Sequence, residues 1–348
     1  MIDPHVHLRD WRQAAKETLS HGMEVALEAG IDELFDMPNT DPPLTERSLI
    51  LKRLEDARVA NPTMRYHLFA GLSADRDQVF AVVHLAKQLF PQVIGLKLFA
   101  GHSTGNMGLV DEQLQRSVYG WLAQADYQGV VAIHAEKESL LHGEREDLKD
   151  ASTHSLARPV EAEVASVVDQ LRFSEEAGFK GHLHVCHLSS TEALHRIEQA
   201  KKKGRRVSCA VTPHHVLLNM LDAKDAALGA RMNPPLRSET ERSALFAALL
   251  EGRIDWIETD HAPHTLADKL AGASGIPGFS GLLLLVKAMI ERGADEKLLR
   301  SLLGERVLQV FGLPSRPISI PAYDTLCSLS QTACEAYPYD SYANFRLR

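Results

Sequence analysis

Ile2-Asp-Pro-His-Val-His7 opens the chain as a short strand whose alternate side chains share a face, and a helical stretch, 14–29, follows it. The unit then repeats. Further strand patterns lie at 33–37, 65–71, 93–99, 130–134, 182–187, 206–210 and 254–259, with helical patterns at 46–60, 75–89, 112–125, 159–177 and 191–203 among them. Alternation on this scale reads as parallel βαβ units. Eight strands within about 260 residues predict an α/β fold closed as a (β/α)8 barrel of the TIM type, not an open sheet. Two longer irregular stretches, 212–237 and 262–281, follow strands, which puts them on the face where such barrels keep their active sites. A last helical pattern covers 295–311. Beyond Gly312, four prolines and several tyrosines mark a change of texture. The expected division is a catalytic barrel, 1–312, and an extended tail, 313–348, packed upon it.

Composition narrows the function classes. The chain has 348 residues, 45% hydrophobic and 24% charged, and a net charge of -8, which disfavours a nucleic-acid partner. Its four cysteines form no CxxC pair, so neither a zinc ribbon nor a redox motif is present. The N-terminal residues lack a basic and an apolar signal region, and no apolar run approaches the roughly 20 residues that span a bilayer. No membrane partner is expected, and the cytoplasm is the expected compartment.

Chemistry concentrates at strand ends. His5 and His7 are two apart and project to one side of the first strand, a disposition suited to a metal, since neutral imidazole is a common ligand. Taken alone, HxH can also be a chance pair near a terminus. Lys97 lies inside Val93-Ile-Gly-Leu-Lys-Leu-Phe99. There it is either a snorkelling lysine, an ion-paired one, or an amine able to take up carbon dioxide as a metal-bridging carbamate. His134 and His187 end their strands. His182 and His184 fall on the opposite parity from His187 and read as structural or as supports behind the ligands; His214 and His215 could be ligands, but a loop or packing role suits them better. Asp260 ends 254–260 and leads into His261-Ala-Pro-His264, where a carboxylate can bind a metal and carry a proton, or merely cap a helix. Six candidate ligands at the strand ends of one barrel suit a binuclear centre.

The chain resembles the amidohydrolase superfamily and, within it, the dihydroorotases. The resemblance rests on Asp3-Pro-His-Val-His-Leu-Arg-Asp10, Met37-Pro-Asn-Thr40, Gly95-Leu-Lys-Leu-Phe99, Ile133-His-Ala-Glu136, His184-Val-Cys-His-Leu-Ser-Ser190, Thr212-Pro-His-His215, Met232-Asn-Pro-Pro-Leu-Arg237, Thr259-Asp-His-Ala-Pro-His264 and Ser274-Gly-Ile-Pro-Gly278, in the family's order. It implies two zinc ions: one held by His5, His7 and Asp260, the other by His134 and His187, with carboxylated Lys97 bridging them. It implies substrate contacts from Arg9, Asn39, Asn233 and His264. The implied reaction is reversible hydrolysis of dihydroorotate to N-carbamoyl-aspartate in pyrimidine synthesis. A metal-bridging hydroxide would attack and Asp260 would shuttle the proton. Members of the family commonly form homodimers, so a homodimer is expected.

The sequence departs from the family in places. The stretch that builds a β-sandwich before the HxH strand is missing from the given residues, so the sandwich is expected to be reduced or absent. Arg9-Asp10-Trp11 replaces the frequent Arg-Glu-Pro-Gly, and Gly278-Phe-Ser-Gly281 replaces Gly-Leu-Glu-Thr beside the expected substrate. The loop Gly101–Gly108, rich in Gly, Ser and Thr, could close over that substrate. Two rival readings share the fold: another cyclic amidohydrolase acting on hydantoin, dihydropyrimidine or allantoin, and an inactive partner of aspartate transcarbamoylase. Arg9 with Asn39 favours a carboxylated ring over the first, and the full ligand set argues against the second.

Overall fold

In the computed structural model, residues 1–103, 107–225 and 227–343 are described, so the middle of the Gly101–Gly108 loop lies outside the described residues. The eight strands are β1 (Ile2–Val6), β2 (Glu33–Asp36), β3 (Arg65–Gly71), β4 (Val93–Phe99), β5 (Val130–His134), β6 (His182–Val185), β7 (Val207–Val211) and β8 (Trp256–Ile257). They pair in chain order, every pair parallel. The ring closes where the backbone N–H of His7 donates to the carbonyl of His261 at 2.8 Å and Val6 bridges His261 in parallel. The expected (β/α)8 barrel is the fold.

The strands are buried along almost their whole length because helices cover the outside and side chains fill the inside. Helix Arg76–Gln88 shows how the sequence builds that cover. Asp75 caps its first turn by accepting from the N–H groups of Asp77 and Gln78, while Val79, Val82, Val83 and Ala86 recur at helical spacing and are buried. Inside, Phe35, Phe69, Trp256 and Phe311 pack in a plug below the site, Phe311 meeting Phe35 and Phe69 edge to face and the other pairs tilted. Gly95 permits this, since a Cβ there would stand 2.8 Å from the Phe69 ring. Phe311 comes from the last helical pattern, which is broken at Gly304 into Glu296–Arg300, a π turn and Arg306–Phe311.

Two strand ends fall short of the sequence reading. β6 stops at Val185 and β8 at Ile257, so His187 and Asp260 lie just beyond their strands. Both take left-handed backbone conformations, φ 37° and 51°. A non-glycine residue rarely does so outside functional or tightly held sites. The irregular stretches contain short helices, Pro213–Leu217, Met220–Asp225 and Leu266–Leu270. Helices Glu239–Leu250 and Phe279–Glu291 complete the cover.

The tail is not extended throughout. After Gly312 it forms a helix, Leu326–Glu335, packed against Phe279–Glu291. Gly281 is where they come closest: a Cβ there would meet the ring of Tyr342 at 2.3 Å. Ser280 donates to Asp340 at 2.5 Å, and Ser330 to the carbonyl of Ser280 at 3.0 Å. The departure at Gly278-Phe-Ser-Gly281 therefore makes a seat for the tail. Among the described residues no strand lies outside the barrel, and no helix is long and apolar enough to cross a membrane.

Candidate metal centre and substrate cavity

His5, His7, Lys97, His134, His187 and Asp260, contributed by five strand ends, line one cavity at the C-terminal end of the barrel, together with Arg9, Asn39 and Asn233. Parity on β1 aims His5 and His7 into it, with ring centroids 5.2 Å apart. His5 Nδ1 lies 3.0 Å from Glu258 Oε1, and His7 Nδ1 lies 2.5 Å from Asn39 Oδ1. Each of those partners accepts, so each Nδ1 carries the proton and each Nε2 presents a lone pair. The two Nε2 atoms stand 3.3 and 3.0 Å from the same oxygen, Oδ1 of Asp260. Two lone pairs and a carboxylate oxygen facing one another need a cation or a proton between them.

The other histidines carry the same signature. His134 Nδ1 contacts His187 Nε2 at 3.2 Å and its Nε2 lies 3.2 Å from Glu136 Oε2, whereas His187 Nδ1 is buried without a hydrogen-bond partner and His5 Nε2 has only the Asp260 oxygen beside it. Leaving such atoms unpaired costs about 1–3 kcal/mol each. Burial disfavours the imidazolium forms of all three, and with Lys97 nearby it brings His5 down to about 4, so the rings are neutral, the form that binds metals. Burial works against ionised Asp260, but the imidazoles of His7 and His5 beside it hold its carboxyl well below the usual carboxylate range. Ligand atoms of His5, His7 and Asp260 fall within 4.8 Å of one another, as do those of His5, Cys186 and Glu258. The donor set fits a metal centre.

Lys97 is fully buried on β4. Its Nζ donates to Cys186 Sγ at 3.2 Å and lies 5.1 Å from the centroid of Phe99. Among the described residues it has no carboxylate partner within ion-pair distance. A free ammonium so placed is costly.

A cationic wall adjoins the centre. Arg9, 2% exposed, donates from Nε to the carbonyl of Pro263 at 3.1 Å, and its Nη2 lies 3.2 Å from His264 Nε2. His264 sits behind Arg9, outside the residues that line the cavity. It contacts the Ser274 carbonyl through Nε2 and Lys16 Nζ through Nδ1, at 2.9 and 3.3 Å. Burial, with Arg9, Lys16 and Lys269 around it, pushes its pKa to about 2, so this ring too is neutral. Asn233 faces the cavity with His154 behind it. Ser274 and Gly275 reach the cavity because Lys269, buried beneath their loop, donates to the carbonyls of Arg231, Ala273 and Gly275.

Sequence reasoning missed Glu258, Lys16, His154 and Lys269. Glu258 alone offered a signal: a carboxylate two residues before Asp260, inside an apolar strand. Of the remaining histidines, His182 and His184 hydrogen-bond Ser208. His215 contacts Thr212 and the Pro234 carbonyl. His214 is buried with both nitrogens unpaired, and the structure gives no account of it. His261 stacks on Phe279 at 3.9 Å and pairs with Glu17.

No protein-family model matches the chain. Individual proteins do. It is 34% identical over 318 residues to a dihydroorotase of Halobacterium salinarum, covering 90% of this chain and 71% of that one. Against a dihydroorotase of Thermococcus kodakarensis the identity is 35% over 298 residues, and the chain spans only 63% of that protein's length. Against one of Bacillus caldolyticus it is 30% over 357 residues, covering 99% and 80%. Among solved structures, the L-hydantoinase of Arthrobacter aurescens superposes with a TM-score of 0.81 at 22% identity, covering 92% of this chain and 72% of that one, a likeness of fold. With its barrel, its converging candidate ligands and these relatives, the chain belongs to the dihydroorotase family of cyclic amidohydrolases.

Proposed function

We propose that this chain hydrolyses the ring amide of dihydroorotate to N-carbamoyl-aspartate and catalyses the reverse closure in pyrimidine synthesis. The observation that carries the reading is the convergence of unpaired imidazole nitrogens and the Asp260 carboxylate beside a buried guanidinium, Arg9. His5, His7 and Asp260 would hold one zinc ion, His134 and His187 a second, and Lys97, as a carbamate, both. Converting Lys97 to the carbamate removes a buried ammonium and adds two acceptor oxygens. When bound, the two cations supply Lewis acidity and a water activated at neutral pH.

The chain's own groups do the rest. Arg9 pairs with the substrate carboxylate, with Lys16 and the neutral ring of His264 behind it. Asn39 and Asn233 contact the ring. Asp260, ionised, takes the proton from the attacking water and returns it to the amide nitrogen as the C–N bond breaks and the new C–O bond forms. Residues 1–312 act as the catalytic barrel, with 313–348 as an appendage on it. A cytoplasmic homodimer belongs to the same proposal, and sedimentation of the purified chain checks the dimer.

The test is turnover. The zinc-loaded chain should hydrolyse dihydroorotate and leave hydantoin, dihydrouracil and allantoin largely untouched, with close to two zinc ions per chain. Turnover of hydantoin or dihydrouracil alone would move the assignment to another cyclic amidohydrolase. Neither zinc nor turnover would mark an inactive relative. A carbamate resonance from 13C-labelled bicarbonate, absent in Lys97→Ala, tests the bridge.

A further inference from the structure

Glu258 stands at the floor of the centre, fully buried, with both carboxylate oxygens occupied. Oε1 lies 3.0 Å from His5 Nδ1 and accepts the backbone N–H of His187 at 2.7 Å. Oε2 lies 3.0 Å from His184 Nε2 and accepts from Trp256 Nε1 at 3.3 Å. His184 is itself fixed, stacked on Trp256 at 4.3 Å with Nδ1 3.0 Å from Ser208 Oγ. The carboxylate cannot turn without breaking several contacts.

We infer that Glu258 is the positioning residue of the metal centre, setting the tautomer of His5 and the backbone of His187 through one oxygen. This rests on the reading of His5 and His187 as ligands given above. Only a proton on Nδ1 leaves His5 Nε2 free to bind a cation, and an acceptor at Nδ1 enforces that form. His187 lies past the end of β6 in a left-handed conformation that its own side chain disfavours, and its N–H is held by the same oxygen. Glu258 thus couples the ligand from β1 to the ligand after β6, one in each half of the pair of sites. Its ion-pair partners among the described residues are two imidazoles, His5 and His184, and no permanent cation. A buried carboxylate so paired is complemented by the positive charge of a filled centre.

The structure also contains a rival arrangement, since His5, Cys186 and Glu258 could themselves surround a cation. In that arrangement Glu258 would be a ligand, Cys186 would be a second, and His5 would use its other nitrogen.

The experiment compares wild type with E258Q, both full-length and loaded with zinc. Gln keeps the shape but has no charge and one acceptor oxygen in place of two, so its NH2 must face either the N–H of His187 or that of Trp256 and the two-sided anchoring of the carboxylate is lost. Zinc release to a chromogenic chelator should be 10- to 100-fold faster in E258Q. Its kcat should fall by a similar factor with KM within about threefold, and excess zinc should restore much of kcat. A purely structural role would give lower thermal stability without zinc rescue. Wild-type zinc retention in E258Q would overturn the inference. If E258Q does not fold, E258D, which retracts the carboxylate by one methylene, decides by the same release assay. Cobalt substitution separates the rival: a thiolate-to-cobalt charge-transfer band, lost in Cys186→Ser, would overturn the inference in favour of direct ligation. Zinc retention decides the role of Glu258 even if wild type leaves dihydroorotate untouched, so the two readings fail separately.

Discussion

His154 Nε2 stands 2.7 Å from Oδ1 of Asn233. The other ring nitrogen lies 2.6 Å from Glu146 Oε1, and Arg231 Nη1 lies 2.6 Å from that same oxygen. Which face Asn233 shows the cavity, its oxygen or its NH2, is therefore decided by a ring that touches no substrate. With its amide oxygen held towards Nε2, Asn233 turns its NH2 towards the cavity, as a donor to a substrate oxygen. Replacing His154 with Ala should raise KM for dihydroorotate about 5- to 20-fold, with kcat changed less. Asn233→Ala should do the same, and the double variant should be no worse than the worse single one, as measured in a double-mutant cycle. Additive losses would mean that His154 does not act through Asn233.

Arg9 is expected to act on binding. Arg9→Met removes a charge-assisted contact worth about 1.5–3 kcal/mol, so KM should rise roughly 10- to 100-fold at nearly constant kcat. Arg9→Lys should recover only part of this, because an ammonium lacks the planar fork that matches a carboxylate. An unchanged KM in the Met variant would take the substrate carboxylate away from Arg9.

In the proposed mechanism Asp260 would serve both the cation and the proton. Asp260→Asn keeps a ligand oxygen and loses the base, so kcat should drop 100- to 10,000-fold while some zinc is retained. Steady-state rates read beside metal analysis separate the two roles. A variant that keeps its zinc and turns over normally would leave the proton transfer without its residue.

Glu17 gives the fold a pH dependence. Its buried carboxylate lies 3.0 Å from His261 Nε2 and accepts from the Tyr337 hydroxyl at 2.7 Å. Burial would raise its pKa, but His261 and the bonds from His21, His261 and Tyr337 bring it to about 2. The folded value lies below the unfolded one, near 4.5, so the stabilisation is complete above pH 4.5 and is lost as pH falls towards 2. Glu17→Gln should cost about 3 kcal/mol at pH 7. In urea unfolding curves, the gap between the two proteins should close between pH 4.5 and 2, and a gap constant across that range would refute the ionic account.

The barrel was legible because its strands alternate with amphipathic helices at a spacing that only a few folds share. The convergence of most candidate ligands was legible for a related reason: strand parity says where His5 and His7 point, and the C-terminal ends of strands say which residues meet. What escaped was whatever depended on partners distant in the chain. Glu258 looks like one more acidic residue until folding brings His5, His184 and the N–H of His187 to it. Lys269 looks like a surface cation until a loop closes over it, and Lys16 until His264 is brought to its ammonium. The parity argument also met its limit at β6. It placed His184 away from His187, but the strand ends at Val185 and His187 turns left-handed, and the ring of His184 and the N–H of His187 both reach Glu258. The Gly-Phe-Ser-Gly departure was visible as a change, and its cause lay in the ring of Tyr342, sixty residues on.

The ring of strands is sewn shut at Val6, His7 and His261, between the first strand and the turn after the last. His5 and His7 lie on one side of that seam and Asp260 on the other, so the cation that carries out the chemistry would also be the clasp of the fold. Stripping it should loosen the two ends of the barrel before its middle, and hydrogen exchange at the amide of His7 would register the loss first.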